Sequence, residues 1–98
     1  MPLFTFYAKD GPDGPARRNE HRAGHLANIT ALSEAGRVAF AGPLKDPGDG
    51  RSIGALIVFE AEDLAAARRL MAEDPYVKGG VFNSVEILPV VKAFPGES

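Results

Sequence analysis

Two arginines and a histidine recur at intervals of three or four positions early in the chain. Arg18, Arg22 and His25 would lie on one face of a helix, because such intervals return to the same side at every turn. The same face carries an apolar stripe, which consists of Leu26, Ile29 and Leu32. A polar group among apolar neighbours is costly unless it has a partner. The pattern therefore predicts a lined cavity whose positive charge suits a small anion, such as a carboxylate or a phenolate.

Asp74 is the carboxylate best suited to serve the histidine. A carboxylate that accepts a hydrogen bond from one imidazole nitrogen fixes the tautomer and makes the other nitrogen more basic. Because histidine has an unperturbed pKa of about 6.5, a pair of His25 and Asp74 could move protons near neutral pH. Their separation does not follow from the sequence, so a structural histidine and an aspartate that only ends a helix before Pro75 remain open alternatives.

A metal site would be a competing use of the histidines. His21 and His25 are four positions apart, a spacing at which two imidazoles can share a metal. The sequence does not match His-Glu-x-x-His, and neither a third ligand nor a cysteine is available. We therefore predict no metal and no cofactor, and we expect His21 to be solvated.

Three glycine-rich segments are candidate turns or pocket rims. Gly42-Pro43 and Gly79-Gly80 follow predicted elements, and glycine lets the backbone approach a ligand closely. The segment 46–50 lacks the spacing of a phosphate-binding loop. Ser52 is an available polar contact outside any nucleophile motif.

The composition excludes several classes of function. Eleven Lys and Arg against thirteen Asp and Glu give a formal net charge of −2, which does not support nucleic-acid binding. No basic amphipathic stretch suits a membrane surface, and no apolar run approaches the roughly 20 residues that span a bilayer. The absence of cysteine excludes disulfides and thiolate nucleophiles. The N-terminal residues do not resemble a signal peptide, so we predict a cytoplasmic protein.

The candidate residues need a framework, and the hydrophobic patterns predict a single domain over residues 1–98 with the order β-α-β-β-α-β. Predicted strands cover residues 3–8, 37–41, 53–59 and 83–90, and predicted helices cover 16–35 and 62–72. Gly42-Pro43 is expected to end the second strand, and Pro75 cannot continue the second helix. This order predicts a ferredoxin-like α+β fold, an antiparallel sheet with two helices on one face. The tail over 94–98 is expected to be loose.

Both faces of the predicted sheet are apolar. In the strand over 53–59, Ala55 and Ile57 alternate with Leu56 and Val58, so apolar side chains point both ways. Two helices cover only one face, and large exposed apolar patches are rare on monomers. We therefore predict a homodimer through the open face, with coverage by loops and the tail as the alternative.

Three motifs in order resemble the YCII family. Arg22-Ala23-Gly24-His25-Leu26 is similar to its arginine before a His-Leu pair. The segment 36–44 is similar to its glycine, strand and Gly-Pro-Leu run. Asp74-Pro75-Tyr76, followed by Gly79-Gly80, is similar to its Asp-Pro-Tyr and glycine segment. The resemblance extends from about Leu3 to Val91.

The resemblance implies a dimeric α+β barrel related to muconolactone isomerase-like proteins. It implies a His–Asp active site at His25 and Asp74, with Arg22 at the family's arginine. The remaining motif positions near the pocket are Gly42, Pro43 and Tyr76. One departure is visible, because Ala55 stands where many relatives carry the serine of a Gly-Ser pair. One characterised branch of the family dehydrochlorinates a hydroxylated aromatic ring.

Two functional hypotheses follow. In the first, the chain is a cofactor-independent isomerase or lyase that acts on a small anionic molecule. His25 is then the acid or base, Asp74 orients it, and Arg22 and Arg18 hold the anion. In the second, the same pocket belongs to a non-catalytic ligand-binding or accessory dimer. A purely structural interaction protein is a third alternative, which requires His25 and Asp74 to lie far apart.

Overall fold

A four-stranded antiparallel sheet carries all of the helices on one face in the computed structural model, which describes residues 1–96. The elements are, in chain order, β1 (Leu3–Asp10), α1 (Gly14–Glu34), β2 (Val38–Lys45), β3 (Ser52–Glu60), α2 (Leu64–Ala72), α3 (Pro75–Lys78) and β4 (Phe82–Val90). The predicted ferredoxin-like α+β fold is confirmed, with the short helix α3 as an addition. Residues 97 and 98 of the tail predicted to be loose lie outside the described residues.

The sheet order is β2-β3-β1-β4, so the first and third strands are central. Phe6 pairs with Ile57 of β3 and Ile87 of β4, and side chains of paired residues share a face. The face towards the helices forms the core, whose largest fully buried side chains are Phe6, Phe59, Met71 and Val81. Ile29 and Leu32 of α1 pack against this core, whereas Leu26, the third residue of the predicted stripe, is 45% exposed.

Strand β2 is longer than predicted. We expected Gly42-Pro43 to end it, but it runs from Val38 to Lys45 with Pro43 opposite Ala55. The expectation was wrong because β2 is an edge strand, in which a proline need not donate a ladder hydrogen bond. The extension brings Lys45 level with Ser52 of β3.

The helix boundaries also differ from the predictions, for local reasons. Helix α1 begins at Gly14 with Pro15 in its first turn, a position that needs no N–H donor. Helix α2 begins at Leu64 because the Asp63 carboxylate caps it, accepting from the backbone N–H of Ala66 at 2.7 Å. The first of these shifts extends α1 back towards Asp10 at the end of β1.

The face opposite the helices keeps the apolar character predicted for it. Large side chains there are exposed, including Tyr7, Phe40 at 56% and Leu88 at 60%. Pro43 in β2 and Pro89 in β4 lie in the two edge strands, where they remove backbone donors and discourage edge-to-edge pairing. Within residues 1–96, no helix has the length and apolarity needed to cross a lipid bilayer.

Candidate active site

Asp74 is positioned by the junction between α2 and α3. Its extended backbone ends α2, and its carboxylate caps α3 by accepting from the backbone N–H of Tyr76 at 2.8 Å. The residue is only 2% exposed and is the buried polar residue of the described chain. A buried carboxylate needs hydrogen-bond donors, and those donors come from α1.

His25 is the first of those donors. Its Nδ1 lies 2.8 Å from Oδ1 and 3.0 Å from Oδ2 of Asp74. Because a carboxylate only accepts, Nδ1 carries the proton of this hydrogen bond. The imidazole is thereby held in one tautomer, and Nε2 is the ring nitrogen left for a ligand. The sequence left the separation of His25 and Asp74 open, and the structure places them in hydrogen-bond contact.

Two further contacts hold the imidazole in place. The Tyr76 ring stacks on it with centroids 3.8 Å apart and planes 6° apart. Helix α1 approaches α3 closely at Gly24, where an added Cβ would lie 3.0 Å from Cγ of Pro75. The glycine next to the histidine therefore permits the helix contact that brings Asp74 to His25.

A cavity of about 320 Å³ lies between α1 and the β2–β3 side of the sheet. Its volume falls at the lower end of the usual range for ligand pockets, about 300–1,000 Å³. The structure brings six of the seven predicted site residues to its wall, and Asp74 lies behind His25. The lining residues are Arg18, Arg22, His25, Leu26, Ile29, Ala41, Gly42, Pro43, Lys45, Ser52, Ala55, Ile57 and Tyr76.

The three cations of the cavity wall differ in how firmly they are held. The Arg18 guanidinium donates to both carboxylate oxygens of Asp10, at 2.7 and 2.9 Å, and to the carbonyl of Gly54 at 2.9 Å. The hydrogen bond and charge of Asp10 raise the pKa of Arg18 despite its burial. By contrast, Arg22 has no ion-pair partner within residues 1–96, and Lys45 contacts only the Ser52 hydroxyl, at 3.0 Å. Arg22 and Lys45 are therefore the cations available to an anion.

Sequence reasoning missed three polar residues of this site. Asn28 donates to Oδ2 of Asp74 at 2.9 Å, and its place one turn after His25 was a usable signal. Asp10 and Lys45 were missed because the predicted strands stopped at residues 8 and 41. Ser52 was anticipated as a polar contact, and Ala55 lines the cavity without a hydroxyl.

His21 lies apart from this constellation. It packs against Gly79 and lines a separate, open depression with Arg17 and Lys78. Across residues 1–96, no group of three or more potential His, Cys, Asp or Glu ligands converges. Gly79-Gly80, considered as a pocket rim, borders that depression and not the cavity of His25.

Comparison with known proteins identifies the family. A family model for the YCII-related domain matches residues 2–91. The chain belongs to the YCII-related family. Protein YciI of this family, from Escherichia coli O6:H1, is 36% identical over 97 residues, covering 94% of this chain and 99% of the relative. An uncharacterized Haemophilus influenzae protein is 31% identical, and the match covers 93% of this chain and 98% of that protein.

Solved structures place this YCII-related chain among the dimeric α+β barrels. The 5-chloro-2-hydroxyhydroquinone dehydrochlorinase of Burkholderia phenoliruptrix, solved with 2,5-dihydroxybenzoquinone, is 28% identical with a TM-score of 0.79, covering 88% of this chain and 90% of its own. The cofactor-independent oxygenase SnoaB of Streptomyces nogalater has a TM-score of 0.60 at 14% identity. The match covers 98% of this chain and 100% of the SnoaB chain, and it shows the fold alone.

Proposed function

We propose that the chain is a cofactor-independent enzyme of the lyase or isomerase type that acts on a small anionic molecule. The observation that carries the proposal is the hydrogen bond from His25 Nδ1 to Asp74, on the wall of a cavity that also presents Arg22 and Lys45. A base with one nitrogen fixed and the other free, beside uncommitted cations, is suited to proton abstraction from an anion.

Each group has one role in this proposal. His25 takes a proton at Nε2 and becomes an imidazolium, which the Asp74 carboxylate stabilises across Nδ1. Arg22 and Lys45 hold the substrate anion at the cavity wall. The electron pair released by the proton either shifts within the substrate, which is an isomerisation, or expels a leaving group with its own bonding pair, which is an elimination. Neither course needs an external oxidant or reductant.

The substrate class we favour is a hydroxylated aromatic ring. The support is the likeness to a dehydrochlorinase of 5-chloro-2-hydroxyhydroquinone, whose name specifies loss of HCl from such a ring. The cavity agrees in size and in lining, since the His25–Tyr76 stack faces small residues such as Ala41, Gly42 and Ala55. A flat, single-ring anion fits a space of about 320 Å³.

The proposal is tested by measuring chloride release from 5-chloro-2-hydroxyhydroquinone and turnover of related phenols. We expect His25→Ala to lower kcat by about 10²- to 10⁴-fold, the usual contribution of a general base. His21→Ala is the matched control on the same helix, and its turnover should equal that of the wild type. Equal turnover by His25→Ala and the wild type would contradict the proposal. A ligand that binds and is recovered unchanged at every pH would favour the non-catalytic binding module.

We propose that the working form is a homodimer joined through the open sheet face. The support is the exposed apolar face, which carries Tyr7, Phe40 and Leu88, together with a fold of the dimeric α+β barrel class. The prolines of both edge strands favour association by faces over association by edges. Location in the cytoplasm stays a prediction.

A further inference from the structure

Arg18 was predicted to bind the substrate anion, but its hydrogen bonds point to another role. A guanidinium has five N–H donors. The Nε donor and both Nη2 donors are used by Asp10 and the Gly54 carbonyl, which leaves only Nη1. The side chains of Arg18 and Asp10 are 14% and 7% exposed. These three hydrogen bonds fix the position of the Arg18 guanidinium, so it cannot reorient towards a ligand.

The aromatic side chain nearest to this fixed cation is Tyr76. The guanidinium carbon of Arg18 lies 5.2 Å from the centroid of the Tyr76 ring and 5.8 Å from that of Phe82. After Asp10, the charge and hydrogen bonding of Tyr76 are further causes that raise the pKa of Arg18. The Arg18 guanidinium therefore lies against the Tyr76 ring, and its two Nη1 donors are uncommitted among residues 1–96.

The Tyr76 ring is as firmly held as the cation. Its centre lies 3.8 Å from that of His25 in a parallel stack, and it meets Phe82 edge-on at 6.1 Å. The residue is 3% exposed, yet it lines the cavity. The phenol O–H is a hydrogen-bond donor, and it has no protein acceptor within residues 1–96, since the bond from Tyr76 to Asp74 comes from the backbone N–H. The ring that carries this donor stacks on the base.

We propose that Tyr76, held by Asp10 and Arg18, is a second catalytic group that stabilises the oxyanion formed when His25 takes a proton. The inference rests on the proposed function. In the step, the substrate proton moves to Nε2 of His25, and the released electron pair shifts onto a substrate oxygen. The Tyr76 O–H donates a hydrogen bond to that oxygen without giving up its proton. Asp10 and Arg18 are positioning residues in this proposal, because Asp10 fixes the Arg18 guanidinium and that guanidinium packs on the Tyr76 ring.

The first test is Tyr76→Phe, which keeps the stack on His25 and removes only the hydroxyl. With a confirmed substrate, we expect kcat to fall by about 10²- to 10³-fold with little change in KM, as for loss of one oxyanion donor. The control is Tyr7→Phe, which removes the hydroxyl of the tyrosine on the opposite face of the sheet. Unchanged kcat in Tyr76→Phe, when His25→Ala is inactive, overturns this inference and leaves the proposed function standing.

A binding experiment tests the same hydroxyl without turnover, with 2,5-dihydroxybenzoquinone as the probe. We expect Tyr76→Phe to weaken probe affinity about tenfold or more, the effect of losing a hydrogen bond to a charged oxygen. Asp10→Asn should weaken it less, and should have no further effect when added to Tyr76→Phe, because both act through one phenol. Additive losses would show that Asp10 is merely structural.

Wild-type affinity in Tyr76→Phe, with loss in Arg22→Ala, overturns the inference alone. Failure of the wild type to bind the probe counts against both the inference and the aromatic substrate class.

Discussion

The Asp74 carboxylate receives hydrogen bonds from a ring nitrogen, a side-chain amide and a backbone N–H. His25 and Asn28 come from one helix, and the N–H of Tyr76 comes from the short helix that Asp74 itself caps. At 2% exposure the carboxylate has almost no water to replace a lost donor. The same three bonds that satisfy a buried charge therefore also set the direction in which the imidazole can act.

Asn28 provides a prediction at this scale. Asn28→Ala removes one donor to Asp74 and leaves the His25 contact in place, so we expect the free energy of unfolding to fall by about 1–3 kcal/mol. Urea denaturation measures the change. Asn19→Ala, an exposed asparagine of the same helix, is the control and should change stability by less than about 0.5 kcal/mol. Equal effects of the two variants would show that the Asn28–Asp74 bond contributes nothing.

At the scale of elements, the site depends on how closely α1 approaches α3. Gly24→Ala should raise helix propensity by up to about 1 kcal/mol, but its Cβ would press on Cγ of Pro75 at 3.0 Å. We expect the two effects nearly to cancel in stability, while the shift of α3 carries Asp74 away from His25 and lowers turnover. Thermal unfolding and kcat, measured together, separate the effects.

Gly24→Val should have a larger effect than Gly24→Ala at the same helix contact. The larger side chain should lower turnover further and should also lower stability, because valine gains less helix propensity over glycine than alanine does and presses harder on Pro75. Turnover that is unchanged in both variants would contradict the view that this helix contact positions the catalytic pair.

The loop between β2 and β3 provides a pH-dependent prediction. The backbone N–H of Gly48 and that of Asp49 donate to the Asp46 carboxylate at 2.7 and 3.2 Å, and these hydrogen bonds lower the pKa of Asp46. A lowered folded-state pKa stabilises the fold above the ordinary range of aspartate and loses that contribution as pH falls through the lowered value. The Tm advantage of the wild type over Asp46→Asn should therefore shrink in acid. A difference that is constant with pH would contradict this.

The elements were more predictable from the sequence than the contacts between them. The order β-α-β-β-α-β follows from local patterns, and so does the common face of Arg18, Arg22 and His25. The extension of β2 through Pro43 did not, because only the position of a strand within its sheet decides whether a missing N–H matters. The hydrogen bonds from Arg18 to Asp10 likewise depend on where β1 ends relative to α1. The hydrophobic periodicity of the sequence does not predict that placement.

At the scale of the whole molecule, the proposed dimer makes one side of the sheet an interior surface. Stability should then depend on protein concentration, because association stabilises only the folded chain. The Tm should rise as the concentration is raised from about 1 to 100 μM, a range set by mass action. Differential scanning calorimetry across this range tests it, and a constant Tm would contradict an associating fold.

A matched pair on β4 locates the interface. Leu88 pairs with Thr5 on the open face and is 60% exposed, whereas Val85 pairs with Ala8 on the helix-bearing face and is 43% exposed. Leu88→Glu places a charge where the second copy would bury it, at a cost that an apolar interface cannot offset. We therefore expect this variant to sediment as a monomer at micromolar concentration. Val85→Glu introduces the same charge on the same strand and should remain a dimer.

If both variants dimerise as the wild type does, association occurs elsewhere on the molecule. If both dissociate, the charge acts through the stability of β4 and not through the open face.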